Sequence, residues 1–389
     1  MKANKNLWVL VFICVINSLG FGLILPVLYN YGKTFGLTQQ MLGVLTASYS
    51  VAQLFATPLL GALSDKFGRK PLLVLSLAGT CISFIMFAEA RSLIILFAAR
   101  ILDGLTGGNI SVAQAMVSDS STPAERAKNF GILGSSFAFG FVMGPAIGGV
   151  LSNYGLQVPF YFAAGISLLG VLSSILFLKE TNTEGKKIED VNRYADTFMS
   201  LFTILKKPII GTAIFTGFLL TMAQFTMIIG FQTFSIDLLK INTTTMGWFF
   251  ACFAIVGIIA QLGVPAVTKL VSSRTLILTL STIFCFAAML LTGFAQGFLI
   301  FAICLVVYGL FNGLRNPMLN SIIANHNAKT EQGKVLGINQ SYASLGQIFG
   351  PLTAGLIAGI SVHAIFFLSA GYILIALLFT LRLHSKEQN

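Results

Sequence analysis

The chain repeats one pattern at an offset of 206 positions, as from Gly144 to Gly350. Each copy places a Gly-Pro pair inside an apolar stretch, with further glycines at matching distances from the pair. The residues in register are Gly131, Gly140, Gly144, Pro145 and Gly149 in the first copy and Gly337, Gly346, Gly350, Pro351 and Gly355 in the second. A repeat at such a long offset predicts that the chain folds as two related halves.

Composition places both halves in a lipid bilayer. Hydrophobic residues make up 56% of the chain and charged residues 10%, whereas soluble domains carry about a quarter charged residues. Apolar stretches long enough to cross a bilayer as helices lie near 7–29, 40–62, 72–90, 93–117, 130–152 and 158–178, and near 209–233, 245–268, 275–294, 298–321, 335–358 and 362–381. The sequence therefore predicts an all-α integral membrane fold with twelve transmembrane helices in two pseudo-symmetric six-helix bundles.

Residues 179–207 form a long polar segment, which predicts a cytoplasmic linker between a bundle at 1–178 and a bundle at 208–389. The formal net charge of +11 could suggest nucleic acid binding, but the basic residues concentrate at the N-terminus, in the linker and in alternate loops. An excess of Lys and Arg marks the cytoplasmic side of membrane proteins. We therefore expect both termini in the cytoplasm, with the lipid bilayer and not nucleic acid as the partner.

The sequence predicts neither a cofactor nor a metal site. The five cysteines fall within predicted spans without paired spacing, and the three histidines, His326, His363 and His384, lack the spacing of metal ligands. The sequence also lacks a phosphate-binding Gly-rich loop, which disfavours an enzyme or an ATP-driven pump. The first apolar stretch is too long for the core of a signal peptide, so we expect it to remain as the first helix.

The loop between spans two and three carries the most specific local motif, Gly61-Ala-Leu-Ser-Asp65-Lys66-Phe-Gly68-Arg69-Lys70. A simple basic turn would explain the cations, with Gly68 in a left-handed conformation, but it would not require Gly61 or Asp65. The motif closely resembles the signature loop of the major facilitator superfamily, Gly-x-x-x-Asp-Arg/Lys-x-Gly-Arg/Lys-Arg/Lys. The second half lacks a counterpart, because Val271 stands 206 positions after Asp65.

Further motifs resemble the same superfamily. Arg100, Gly104 and Gly108 match its Arg-x-x-x-Gly pattern in span four, and Gly20, Gly22 and Pro26 resemble the Gly-x-x-x-Pro feature of span one. Span five resembles the antiporter motif of the twelve-span drug:proton antiporter branch, which includes bacterial multidrug and tetracycline efflux transporters, through Gly140, Gly144, Pro145, Gly148 and Gly149. The resemblance implies a contact between domains that seals and bends; from the glycines alone, ordinary small-residue packing is an equal alternative.

The resemblance also implies a conformational latch in the signature loop. Its residues are Gly61, Asp65, Lys66, Gly68, Arg69, Lys70 and, at the end of span four, Asp119. Asp65 is expected near the start of span eleven at 334–337, where the positive end of a helix dipole favours a carboxylate, and Arg69 is expected to pair with Asp119. Breaking these contacts would accompany the change to an inward-open state. A purely structural cap is the alternative role of Asp65.

Charges inside the predicted spans are costly and normally face a partner or a wet cavity. Arg100, Asp103 and Arg315 are the charged residues in the interior of the spans. Arg100 and Asp103 are three residues apart on one helix, so they can neutralise each other, whereas Arg315 can line a pocket or extend to the interface. We assign proton coupling to Asp103 and Arg100, since Asp103 is the one acid in the interior of the predicted spans. Coupling through Asp65 and Asp119, or transport without protons, are the alternatives.

In this superfamily, helices one, four, seven and ten line the central pathway. The candidate substrate-binding residues are Asn17, Phe21, Tyr49, Gln53, Arg100, Phe137, Phe141, Gln224, Phe225, Tyr308, Asn312, Arg315, Asn339 and Tyr342. Apolar walls with a few polar groups suit amphipathic organic molecules. For any single aromatic residue in this set, core packing is the simpler explanation.

The sequence thus predicts a monomeric secondary transporter of the bacterial cytoplasmic membrane, which exports amphipathic drug-like molecules in exchange for protons by alternating access. One alternative is a dedicated exporter of a single solute, such as a sugar, a metabolite or a lipid-linked glycan. A second is a membrane receptor that binds without translocating, but the latch and antiporter motifs argue against it.

Overall fold

The computed structural model describes residues 5–182, 202–271, 273–326 and 332–388, and within these ranges the regular elements are helical. In the first half the helices are α1 Lys5–Lys33, α2 Gln39–Phe67, α3 Arg69–Ala88, α4 Leu93–Thr106, α5 Asn109–Ser120, α6 Pro123–Leu151 and α7 Val158–Phe177. In the second half they are α8 Ile210–Thr233, α9 Thr243–Leu262, α10 Val264–Leu270, α11 Arg274–Thr292, α12 Phe298–Asn325, α13 Gln332–Ala358 and α14 Val362–Gln388. Of the predicted linker, residues 183–201 lie outside the described residues.

Eleven segments of the described chain are long and apolar enough to cross a membrane. The remaining predicted span, 335–358, is α13, a 27-residue helix whose polar side chains include Asn339, Gln340 and Gln347. Span four is interrupted at Gly107 and Gly108 between α4 and α5, and span eight at Gly263 between α9 and α10. Glycine, a weak helix former, stands at both interruptions.

The described residues cluster into two compact units. Unit 1 comprises those within 1–38, 48–190 and 241–251, and unit 2 those within 39–47, 191–240 and 252–389. The start of α2 therefore belongs to unit 2, and the start of α9 belongs to unit 1. The division into bundles at 1–178 and 208–389 stays a prediction.

In unit 1, the glycines of α6 bring its backbone against the backbone of α1. A Cβ atom added at Gly144 would lie 2.7 Å from the carbonyl oxygen of Leu19 and 2.8 Å from Cα of Gly22. One added at Gly148 would lie 2.5 Å from the carbonyl oxygen of Leu23. Separations this short leave no room for a side chain, so the contact between α1 and α6 requires glycine.

Unit 2 repeats this contact between α13 and α8. A Cβ atom at Gly350 would lie 2.6 Å from the carbonyl oxygen of Met222, and one at Gly346 would lie 2.9 Å from that of Phe218. The 206-residue offset read from the sequence is therefore also present in the helix packing.

The last glycine of each copy contacts a different helix. In unit 1, the Thr244 hydroxyl donates a hydrogen bond of 2.8 Å to the carbonyl oxygen of Gly149, and a Cβ at Gly149 would lie 3.1 Å from Cα of Gly247. In unit 2, a Cβ at Gly355 would lie 3.3 Å from Cα of Gly43 on α2. A sealing function for these glycines stays a prediction.

We expect Gly144→Ala to lower the melting temperature of the purified protein, because the new methyl group would press on backbone atoms that cannot rotate away. Overpacking of this kind costs about 1–3 kcal/mol. Gly134→Ala is the matched control on the same helix, since its Cβ would meet no atom within 4 Å. Equal melting temperatures for the two variants would contradict the role of Gly144.

Candidate functional site

Arg100 and Asp103 of α4 form a buried ion pair in unit 1. Their side chains lie one turn apart on the same helix face, with 4.0 Å between Nη1 and Oδ2, and the residues are 3% and 7% exposed. The Arg100 guanidinium also lies over the rings of Tyr49 and Phe87, 5.5 Å from each centroid. The Nε and Nη1 atoms of Arg100 have no hydrogen-bond partner among the described residues. The two charges are therefore close enough to neutralise each other, and the Nε and Nη1 groups of Arg100 remain available as hydrogen-bond donors.

Amide side chains extend this cluster. Gln53 donates hydrogen bonds to the Tyr49 hydroxyl at 3.0 Å and to the carbonyl oxygen of Gly107 at 3.2 Å. The second bond is possible because α4 ends before Gly107, which frees that carbonyl from the helix. Next to this break, Asn109 donates to Oδ1 of Asn17 at 2.9 Å. The structure thus places the predicted residues Asn17, Tyr49 and Gln53 around the interruption of span four.

Aromatic rings complete the unit 1 cluster. Phe21 stacks on Phe141, with centroids 6.2 Å apart, and lies 6.1 Å from the Tyr49 ring. Phe137 lies one turn before Phe141 on α6 and is 37% exposed. The contact of α6 with α1 fixes the positions of Phe21 and Phe141, so the glycines support this aromatic surface.

In unit 2, Arg315 of α12 is 2% exposed and does not extend to the interface. Its guanidinium lies over the Tyr308 ring at 5.4 Å, and Nη2 donates to the Tyr308 hydroxyl at 3.4 Å and to Oδ1 of Asn312. Tyr308 stacks on Phe253 with centroids 6.2 Å apart. Within the described part of unit 2 no carboxylate pairs with Arg315, and its Nε and Nη1 have no hydrogen-bond partner there.

The other predicted residues of unit 2 make separate contacts. Asn339 donates to Oδ1 of Asn320 at 3.2 Å, and Tyr342 forms an edge-to-face contact with Phe218 at 6.3 Å. Gln224 and Phe225 are half-buried on α8, and Cβ of Phe225 approaches Gly350 at the contact with α13. The structure therefore brings Tyr308, Asn312 and Arg315 together, while Phe225 packs between helices.

An acid of the second half, Asp237, is half-buried at the end of a segment long and apolar enough to span a membrane. The seventh spanning segment continues from α8 through a π-helical turn, Phe234–Leu238, and so includes Asp237. Gln39 at the start of α2 donates to Oδ2 of Asp237 at 2.7 Å. The predicted span ended at residue 233 and therefore excluded this carboxylate.

Arg69 is the centre of the signature loop. Its guanidinium contacts Oδ2 of Asp119 at 3.1 Å, Oδ1 of Asp65 at 2.6 Å and the Ser64 hydroxyl at 2.7 Å. Gly68, with φ of +100°, makes the turn between α2 and α3. The helix α2 passes through Gly61 and ends only at Phe67. The pair of Arg69 with Asp119 has the geometry implied by the family resemblance.

The two lysines of the motif have local partners. Lys66 lies over the ring of Phe67 at 5.1 Å, and Lys70 donates to the carbonyl oxygen of Ile175 at 2.8 Å. The bond of Lys70 ties α3 to the end of α7. The loop is thereby held against the end of the sixth span.

Glu180 is a functional candidate that the sequence reasoning missed, because it lies in the predicted linker. Its carboxylate accepts hydrogen bonds of 2.9 Å from the backbone N–H groups of Arg69, Lys70, Thr181 and Asn182. Burial would raise the pKa of Glu180, but these four donors lower it below its ordinary value. The sequence signal is that α3 has neither an acid in its first turn nor a side-chain cap, so Glu180 supplies the anion that a helix N-terminus favours.

The comparison with known protein families decides the assignment. A family model described as Major Facilitator Superfamily matches residues 10–285 and 238–389. The chain belongs to the Major Facilitator Superfamily. It is accordingly a multi-pass membrane transporter and not an enzyme.

Individual members of the Major Facilitator Superfamily match nearly the whole chain. It is 29% identical to Multidrug resistance protein 2 of Bacillus subtilis over 390 residues, which cover 96% of this chain and 95% of that protein. It is 27% identical to Quinolone resistance protein NorA of Staphylococcus aureus, covering 99% and 100%. A solved bacterial homolog of the human lysosomal transporter Spinster superposes with a TM-score of 0.83 at 14% identity, covering 99% and 98%, which shows the shared fold.

Arg100→Gln should destabilise the protein more than the double variant with Asp103→Asn. The single change leaves a buried carboxylate without its cation, at a cost of roughly 3–5 kcal/mol, whereas the double change removes both charges. Thermal unfolding of the three proteins in one detergent measures this. Independent, additive effects would show that the two charges do not interact.

Glu180→Gln should lower the free energy of unfolding by roughly 0.3–1 kcal/mol, the range for an exposed charge at a helix end. Because the pKa of Glu180 is lowered, its carboxylate stabilises the fold above its ordinary pKa of 4.5, and this contribution is lost as the pH falls through the lowered pKa. The melting temperatures of wild type and variant should therefore differ at neutral pH and converge in acid. A difference in melting temperature that stays the same from neutral to acid pH would contradict this role of the Glu180 carboxylate.

Proposed function

We propose that this transporter exports amphipathic, drug-like molecules in exchange for protons. The observation that carries the proposal is the buried pair Arg100–Asp103 beside the aromatic surface of Phe21, Tyr49 and Phe141. The names of the relatives, multidrug resistance and quinolone resistance proteins, support export of organic molecules of this kind.

In this mechanism each part of the cluster has a separate task. The aromatic rings bind the apolar part of the substrate by removing it from water. Asp103 binds a proton when the site faces outward and releases it when the site faces the cytoplasm, while substrate moves in the opposite direction. Arg100 balances the charge of Asp103 when the proton has left. The bundles at 1–178 and 208–389 alternate around the site.

We further propose that the protein works as a monomer in the bacterial cytoplasmic membrane, with both termini and the 179–207 linker in the cytoplasm. The distribution of Lys and Arg supports this orientation. It places the signature loop, with Arg69 and Lys70, on the cytoplasmic side. Arg69 would then act as the latch through Asp119 and Asp65.

A second candidate is export of one anionic or zwitterionic solute. Arg315 favours it, because this buried cation has no carboxylate partner within the described residues and retains free donors. A carboxylate on the substrate could occupy this position, as charge-assisted hydrogen bonds to arginine are strong. Arg315→Gln would then raise KM for carboxylate-bearing substrates and leave KM for cationic ones unchanged.

The test is efflux of fluorescent amphiphilic cations from proteoliposomes under an imposed pH gradient. We expect wild type to couple efflux to the gradient, and Asp103→Asn to lose that coupling by a factor of ten or more while still exchanging substrate without a gradient. Asp237→Asn is the matched control, because Asp237 also lies within a spanning segment. If only Asp237→Asn loses coupling, Asp237 and not Asp103 is the proton-binding residue. If none of a broad set of dyes is transported, multidrug export is refuted.

A further inference from the structure

A groove lies between the N-terminal halves of α1 and α6, away from the residues assigned to transport. Its volume is about 560 Å³, and it is lined by Trp8, Val11, Val15, Lys128, Gly131, Ile132, Ser135, Ser136 and Phe139. All of these residues belong to unit 1. At about 100° per residue, Phe139 and the cluster residue Phe141 point to opposite sides of α6, so the groove is separate from the aromatic cluster.

From the groove we infer a binding site for one anionic phospholipid of the cytoplasmic leaflet. Lys128 stands at one end of the groove, and Phe139 lies 11 residues further along α6. At about 1.5 Å per residue this distance is about 16 Å, close to half of the roughly 30 Å hydrocarbon core. A phosphate at Lys128 would therefore allow an acyl chain to follow the groove to the middle of the bilayer.

The side chains of the groove match the two ends of such a lipid. Trp8 is 59% exposed, and tryptophan is enriched where headgroups meet hydrocarbon. Ser135 and Ser136 donate their hydroxyls to the carbonyl oxygens of Gly131 and Ile132 of their own helix, which leaves an apolar wall for the chain. On the orientation proposed above, Lys128 and Trp8 lie at the cytoplasmic surface.

Charge selects an anionic occupant. Lys128 is exposed and has no ion-pair partner among the described residues, and no acidic side chain lines the groove. The nearby acid of α6, Glu125, accepts a hydrogen bond from Thr122, and Arg126 donates to the carbonyl oxygen of Ser118. A lone lysine near the membrane surface attracts anionic lipids and repels cationic amphiphiles, so the groove favours a lipid over a cationic drug.

Gly131 keeps the groove open. A Cβ atom at Gly131 would meet no atom within 4 Å, so helix packing does not require glycine there, in contrast to Gly144 and Gly148. A leucine at this position would extend into the groove and occupy part of it, and its Cβ would displace no protein atom. Gly134 has the same free space but does not line the groove, which makes Gly134→Leu the matched control.

The chain provides its own reporter, because it contains two tryptophans and Trp8 lies in the groove. Trp248→Phe leaves Trp8 as the single fluorophore. In bilayers of phosphatidylcholine with brominated phosphatidylglycerol or brominated phosphatidylcholine, we expect the anionic lipid to quench Trp8 with about fivefold higher relative affinity, the ratio that about 1 kcal/mol from one lysine gives.

Two variants, each with a matched control variant, test the site in this background. Lys128→Gln should bring the affinity ratio close to one, whereas Lys128→Arg should retain it. Gly131→Leu should abolish the preference, and Gly134→Leu should not. The inference is overturned if both lipids quench the parent equally, if the preference survives both Lys128→Gln and Gly131→Leu, or if inorganic phosphate at constant ionic strength abolishes it, which would indicate a free-anion site.

Discussion

The close contact of helix backbones at glycine is the constraint on which the rest of this structure depends. In a bilayer, lipid chains solvate apolar side chains as well as another helix does, so helices associate through close van der Waals packing at small residues. Gly144 and Gly148 supply that contact between α6 and α1, and Gly346 and Gly350 supply it between α13 and α8. These contacts set the positions of the rings and amides that face the candidate site.

The two units differ in how their buried charges are paired. In unit 1 the charge of Arg100 is balanced by Asp103 four ångströms away, and a proton on Asp103 would change the net charge of the cluster. In unit 2 Arg315 is buried against Tyr308 and Asn312, which are neutral. A single titratable pair can couple to protons, whereas a lone cation is better suited to hold an anionic group. The two halves share a helix plan but not their chemistry.

The sequence predicted the features that depend on local pattern. The spans follow from apolar length, the packing repeat from the glycine offset, and the contact of Arg69 with Asp119 from family resemblance. It did not predict the contacts of Glu180 and Asp237, because these depend on which helix ends lie next to each other in the folded protein. In the sequence Glu180 is one of several linker charges, but in the structure it lies beside the N-terminus of α3. Asp237 follows the predicted span, but in the structure α8 continues through a π-helical turn that includes it.

The glycines in the two halves of α6 have different surroundings. In its C-terminal half Gly144 and Gly148 are in contact with α1, and a side chain at either position would collide with backbone atoms. In its N-terminal half Gly131 and Gly134 face open space, so the same residue type leaves the helix surface accessible. The helices α1 and α6 are therefore in contact at one end and leave a groove at the other. Phe21 and Phe141 lie on the same two helices, with their ring centroids 6.2 Å apart, so the backbone contact that ends the groove also positions the aromatic surface of the candidate site.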